Sequence, residues 1–223
     1  MTLELLPDEL LLLIYSYLNT FDILRAFNDL NTRFHRTTDI FRKTIDFTRV
    51  RYGQVAQYCE ILLRPSLGLY VRTLNLSNNR PVKEQITSFA KQVWPFSEKL
   101  PNVEHLTFLG MTSQELDIYL SEIIRLEILT KLTIQCSTCC SNNQIISHFF
   151  YKLTQNGKAL KQLSLSCVSL SLTSIPDWTN RVITDLTIQL EKTNDLIVLL
   201  YHFRALQYLH VTIEKFGTPG SNQ

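Results

Sequence analysis

The residues best suited to chemistry are the cysteines, and their densest group is Cys136-Ser-Thr-Cys139-Cys140. Two thiolates with two residues between them make half of many structural zinc sites, but such a site takes four ligands, usually as two pairs. The sequence contains no second C-x-x-C and no H-x-x-x-H, and Cys59 and Cys167 stand alone. We therefore expect no metal site and no cofactor, and we interpret this stretch as small side chains at the end of a strand.

Signals for catalysis are equally weak. The patterns GxSxG, HExxH, GxGxxG and GxxxxGK[ST] are all absent, and the six glycines are few for a phosphate-binding loop. The five histidines are scattered along the chain at His35, His105, His148, His202 and His210. A pair of Cys136 with His105 stays open, although no neighbouring group would activate its thiol. The sequence predicts a chain without catalytic activity.

Charge and hydropathy narrow the class of partner and the compartment. The net charge is +2 and no dense run of Lys or Arg occurs, which argues against nucleic acid or a membrane surface as the main partner. No apolar run approaches the ~20 residues of a membrane span. The Leu10–Ile14 run follows two acidic residues and no basic one, unlike a secretory signal. We expect an intracellular chain, cytoplasmic and/or nuclear, with reduced thiols.

One short pattern, apolar-x-x-Leu-x-apolar, recurs through most of the chain. Its six copies are VRTLNL, VEHLTF, LTKLTI, LKQLSL, ITDLTI and LQYLHV, with central residues Leu74, Leu106, Leu132, Leu163, Leu186 and Leu209. A weaker copy contains Ile45 and Phe47. The central positions 45, 74, 106, 132, 163, 186 and 209 lie 23 to 32 residues apart, close to the roughly 20–29 residues of leucine-rich repeats.

The segments between these copies have helical periodicity, except for residues 171–180. One of them opens with Thr112-x-x-Glu115, which has the spacing of a capping box. Short strands alternating with helices predict an α/β fold, an irregular solenoid with parallel strands and helices outside. The rival, a doubly wound sheet, needs strands that are apolar on both faces, and these strands alternate with polar residues.

The polar residues that flank each central leucine would share one face of the sheet. Two interpretations stay open: a simply solvated face, or a concave surface that binds a target protein. The second predicts as target-binding residues Thr73, Asn75, His105, Lys131, Gln162, Asp185, Tyr208 and His210.

The first forty residues predict three short helices, of which the first is unusually apolar. Pro7 suits the first position of a helix, and two acidic residues follow it in the first turn. From Leu10 to Leu18 almost no polar face remains, whereas an ordinary surface helix buries a single stripe. This helix must be covered on several sides, either by its own chain or by another.

The order and spacing of residues 3–40 resemble an F-box. The matching positions are Leu6, Pro7, Glu9, Leu10, Ile14, Tyr17, Leu18, Asp22, Ile23, Leu24, Ala26, Arg33 and Phe34. The chain departs from the family at Leu30-Asn31, where Val-Cys is frequent, and at Phe34, where Trp is frequent. The remainder resembles a divergent leucine-rich-repeat region, a common companion of the F-box.

The resemblance implies a substrate-recognition subunit of an SCF-type (cullin-RING) ubiquitin ligase, with the adaptor and cullin as partners and an unidentified protein as target. It divides the chain into an F-box at 1–41, a repeat region at 42–216 and a flexible tail at 217–223. The implied adaptor-binding residues are Leu6, Pro7, Leu10, Ile14, Tyr17, Leu18, Leu24 and Phe34. The alternative is a repeat scaffold without enzymatic activity, whose helical block only caps the first repeat.

Overall fold

Among the residues that the structure describes, seven parallel strands form one open sheet, and their order across the sheet is their order along the chain. The computed structural model describes residues 3–28, 30–48, 50–78, 84–137, 143–172 and 179–215. The strands are β1 (Thr44–Asp46), β2 (Thr73–Ser77), β3 (His105–Met111), β4 (Lys131–Cys136), β5 (Gln162–Leu170), β6 (Asp185–Lys192) and β7 (Tyr208–Lys215). The predicted α/β class with parallel strands is confirmed.

Helices precede the first strand and follow each strand from β1 to β4 and β6. Before β1 lie a 3₁₀ turn (Leu3–Leu5), α1 (Asp8–Tyr15), α2 (Thr20–Phe27), α3 (Thr32–Thr37) and α4 (Asp39–Lys43). The others are α5 (Tyr52–Leu62), α6 (Pro65–Gly68), α7 (Gln85–Val93), α8 (Phe96–Lys99), α9 (Ser113–Arg125), α10 (Asn143–Asn156) and α11 (Thr193–His202). Part of 171–180 and the predicted tail at 217–223 lie outside the described residues.

The first four residues of each inner strand bury one face only. In β2 these buried residues are Leu74 and Leu76, and β3, β4, β5 and β6 bury the second and fourth residues of the strand in the same way. These side chains join apolar residues of α5, α7, α9 and α10 in one continuous core. The opposite face is polar and partly exposed, as the alternation predicted, so helices cover the sheet on one side.

The capping box at the start of α9 forms as predicted. The Thr112 hydroxyl accepts a hydrogen bond from the Glu115 backbone N–H at 3.3 Å, and the Glu115 carboxylate accepts one from the Thr112 N–H at 2.8 Å. The same buried carboxylate also accepts bonds from Asn78 Nδ2 at 3.0 Å and Thr87 Oγ1 at 2.7 Å. Glu115 therefore joins its own helix to the turn and helix that precede it in the array.

Replacing Glu115 by alanine is expected to lower the free energy of unfolding by about 2–3 kcal/mol, because the partly buried donors of Asn78 and Thr87 lose their acceptor together with the local cap. Thr112→Ala is the matched variant, since it removes the local cap alone and should cost about 1 kcal/mol. Urea denaturation followed by circular dichroism measures both. Equal costs for the two variants would contradict a role for Glu115 in joining α9 to Asn78 and α7.

In the N-terminal block, the described residues form four short α-helices, one more than the three that were predicted. The helix α1 ends at Tyr15, before the end of the apolar run at Leu18. Asn19 caps α2, since its side-chain oxygen accepts a bond from the Asp22 N–H at 2.9 Å. After α3, the Thr38 hydroxyl donates to the Phe34 carbonyl at 2.9 Å, which satisfies the helix end. Then α4 begins, crosses the predicted boundary at 41/42 and leads directly into β1.

Candidate interaction surfaces

The helix α1 has two apolar stripes, and only one of them is buried. Leu11 and Tyr15 face inward and pack in a small cluster with three residues of α2 and α3. This cluster, the block core, consists of Leu11, Tyr15, Ile23, Phe27 and Phe34. The ring of Tyr15 lies 4.9 Å from that of Phe27, so aromatic contacts hold α1 on α2.

The second stripe of α1 faces away from the block core. It consists of Leu10, Leu13, Ile14 and Tyr17, and we call it the outer stripe. Leu10 is 45% exposed, Leu13 is 53% exposed and Tyr17 is 82% exposed, while Ile14 is partly exposed. The spacing i, i+3, i+4, i+7 places all four side chains on one side of the helix and its following turn. A contiguous exposed apolar patch of this kind is typical of a protein–protein interface.

Arg33 of α3 fixes the chain at the entrance to α1. Its guanidinium forms an ion pair with Asp8 at 2.7 Å and donates to the backbone carbonyls of Glu4, at 2.6 Å, and Leu6. Three contacts from one planar group orient the 3₁₀ turn and the first turn of α1 together. The sequence placed Arg33 in the F-box pattern, but no local signal indicated this function.

Six of the eight predicted adaptor-binding residues reach the surface or lie near it. Leu10, Tyr17 and Leu18 are exposed, as is Pro7, while Leu6 and Ile14 are partly buried.

The other two predicted adaptor-binding residues, Leu24 and Phe34, are buried to 0% and 1% exposure. The prediction that they contact a partner is incompatible with this placement. Leu24 packs in the continuous core beneath the sheet, which we call the main core. Phe34 stacks on Phe27 in the block core, with ring centroids 5.7 Å apart. Both residues therefore contribute to the packing that holds the exposed residues of α1 in place.

The helix α2 joins the block to the sheet. Phe21 stacks on Tyr58 of α5 with ring centroids 4.0 Å apart and nearly parallel, and it meets Phe47 edge-on at 4.9 Å. Phe21 and Leu24 thus belong to the main core, whereas Ile23 and Phe27 of the same helix belong to the block core. One helix is shared by two cores, so the block is packed firmly against the first strand.

All eight predicted target-binding residues lie on the polar face of the sheet, in two rows that the strand register aligns. The first row is Thr73, His105, Lys131, Gln162, Asp185 and Tyr208. The second row, two residues further along each strand, is Asn75, Thr107, Thr133, Ser164, Thr187 and His210. A shallow depression of about 290 Å³ lies over β4, β5 and β6, where both rows line it.

The side chains of these rows are free to bind. Apart from Asp185, which accepts a bond from Thr184 Oγ1 at 2.6 Å, none of them has a hydrogen-bond or ion-pair partner within the part of the chain that the structure describes. Polar groups on the helix side are engaged instead. Gln85 bonds the Ser77 N–H and the Phe47 carbonyl, at 2.8 and 2.7 Å.

Sequence comparison finds no family model and no curated protein that matches this chain.

The candidate Cys136–His105 pair does not form. Cys136 is buried on the helix side of β4, and His105 is exposed on the polar face of β3.

Burial, with a smaller contribution from Glu60, raises the pKa of the Cys59 thiol from its ordinary 9.0 to about 12. This thiol stays protonated at neutral pH and is not an activated nucleophile.

Two further features concern metals and membranes. Among the described residues, no three His, Cys, Asp or Glu side chains are grouped to hold a metal ion. Cys139 and Cys140, part of the stretch considered for zinc, lie outside the described residues. No helix in the described ranges has both the length and the apolar character to cross a bilayer.

Proposed function

We propose that this chain is the substrate-recognition subunit of an SCF-type ubiquitin ligase. The helical block docks on the adaptor subunit, and the polar face of the sheet holds a target protein. The observation that carries the proposal is the outer stripe of α1, because a short helix has no reason within its own fold to expose Leu10, Leu13 and Tyr17 together. Its position in an F-box-like order of residues supports the adaptor as the partner.

The outer stripe has the chemistry of an interface core. Burying apolar surface stabilises a complex by about 25 cal/mol per Å², and a few central anchors carry most of the binding energy. Leu10 and Leu13 are aliphatic anchors, and Tyr17 adds a large ring with a polar tip. Asp8 and Glu9 lie at the start of the same helix, so a polar rim borders the apolar centre.

In this proposal the chain performs no chemistry of its own. We interpret its repeat region as an irregular leucine-rich-repeat solenoid with parallel strands and outer helices. The rigid array would hold a target at a fixed distance from the ligase, and ubiquitin transfer would gain from proximity.

A second function, a repeat scaffold whose block caps the first repeat, is favoured by a different observation. Phe21 and Leu24 of α2 are fully packed in the core under the sheet. A terminal repeat needs such cover, because its apolar face would otherwise meet water. The two functions use opposite sides of the block and are separable by experiment.

The deciding experiment is a calorimetric titration of the purified chain with the purified adaptor subunit. We expect saturable binding with one adaptor per chain. Ile118→Asp is the control for a charge placed outside the outer stripe, because Ile118 is a 51% exposed apolar residue of α9, far from the block in sequence. That variant should bind like the wild type. If circular dichroism shows a folded chain and the titration shows no binding, the ligase function is rejected and the scaffold function is retained.

A further inference from the structure

The charged side chains of the polar face are arranged with opposite signs at the two ends of the depression over β4, β5 and β6. Lys131 lies on β4 and Asp185 on β6, with the uncharged Gln162 between them in the first row. Two strand spacings of ~4.8 Å place their Cα atoms ~10 Å apart. From this arrangement we infer that the target segment carries one acidic and one basic side chain at that separation, recognised by Lys131 and Asp185 respectively. This inference rests on the proposed function of the polar face.

The neighbours in the first row strengthen each end. His105 lies beside Lys131 on β3, so the β4 end offers two nitrogen-bearing side chains to an acidic group. Tyr208 lies beside Asp185 on β7 and is largely exposed, so the β6 end offers a carboxylate and an aromatic ring. That combination suits an arginine or lysine, which binds both groups favourably. The depression is therefore positively charged at its β4 end and negatively charged at its β6 end.

Within the described ranges, neither charge is paired with an opposite one. Lys131 has no hydrogen-bond or ion-pair partner among the described residues, and Asp185 has only the Thr184 hydroxyl. The Asp185 side chain is partly buried, and the Lys131 side chain is exposed. A partner that supplied the opposite charges would gain electrostatic complementarity, and a partner of reversed polarity would meet two like-charge contacts.

The floor of the depression is uncharged and can hydrogen-bond a polypeptide. Thr133, Ser164 and Thr187 line it with hydroxyl groups, each of which can donate and accept. A polyanion fits poorly, because Lys131 is the single permanent cation of the two rows and Asp185 would repel phosphate groups. The surface therefore favours an unmodified protein segment over a multiply phosphorylated one or a nucleic acid.

The test is selection of a random peptide library displayed on phage against the full chain, followed by affinity measurement of the enriched peptides. We expect peptides that contain both an acidic and a basic residue. Their affinity should fall by about ten-fold or more for the charge-swapped variant Lys131→Glu/Asp185→Lys. Peptides with the two charges exchanged should bind that variant better than the wild type.

The matched control is Asp117→Lys/Lys152→Glu, which exchanges one charge of each sign on exposed positions of α9 and α10. It should leave peptide affinity unchanged. The inference is overturned if the folded chain enriches no peptide, if the enriched peptides bind the charge-swapped variant as well as the wild type, or if multiply phosphorylated peptides bind more tightly. Adaptor affinity, measured separately on the same variants, should not change. A failure of adaptor binding alone would overturn the proposed ligase function and leave the charge recognition standing.

Discussion

Replacing Leu10 and Leu13 together by aspartate is expected to abolish measurable binding to the adaptor subunit. The two side chains are 45% and 53% exposed in the free chain, so their replacement removes no contact of the block core. Apolar anchors at the centre of an interface contribute about 2 kcal/mol or more each, so the pair should cost about 4 kcal/mol of binding energy, near a thousand-fold in affinity. Calorimetric titration against the purified adaptor measures the loss.

The matched control for this pair is Ile118→Asp/Leu200→Asp, which places two aspartates at equally exposed apolar positions of α9 and α11. Both double variants should unfold at the same urea concentration as the wild type. The interface assignment is wrong if Leu10→Asp/Leu13→Asp keeps its adaptor affinity, or if the control loses affinity to the same extent.

Replacing Phe21 by alanine is expected to lower the free energy of unfolding by about 3–5 kcal/mol, the usual cost of deleting a buried phenyl ring. Phe21 is 2% exposed and lies between Tyr58 and Phe47, with ring centroids 4.0 and 4.9 Å away. The loss measures how far the block stabilises the first repeats, which is the cap function. Urea denaturation gives the free energy, and hydrogen exchange locates the loosened segments.

The control for Phe21 is Phe27→Ala, on the same helix but in the block core. Phe21→Ala should increase exchange in β1 and α5, whereas Phe27→Ala should increase it in α1 and α3. A cost below about 1.5 kcal/mol for Phe21→Ala would show that the block contributes little to the array.

The outer stripe is a feature that the sequence pattern alone did not predict. The run from Leu10 to Leu18 showed that α1 is apolar on nearly every side, but pattern alone did not divide it into a buried stripe and an exposed one. That division depends on α2 and α3, which cover Leu11 and Tyr15. The same packing turned Leu24 and Phe34 inward, although the F-box-like order had suggested them as adaptor contacts.

The two polar rows were predictable because a repeated strand pattern leaves few alternatives for the register. Each copy has its leucine at the same place, and a shift of one residue would expose every buried side chain to water. The alignment of Lys131 with Gln162 and Asp185 follows from that constraint. The capping box of Thr112 and Glu115 was predictable for a similar reason, since its two residues are three apart and bond within one turn.

The sequence by itself therefore determined the strands, most of the helices, their parallel order and the residues of the polar face. All of these depend on local periodicity and on burial of one apolar face per repeat. The tertiary structure alone decided the partners of Glu115 in the preceding turn, the double packing of α2, the position of Arg33 at the start of α1 and the exposure of the outer stripe. These contacts join residues that are distant along the chain, and only the packed fold brings such residues together.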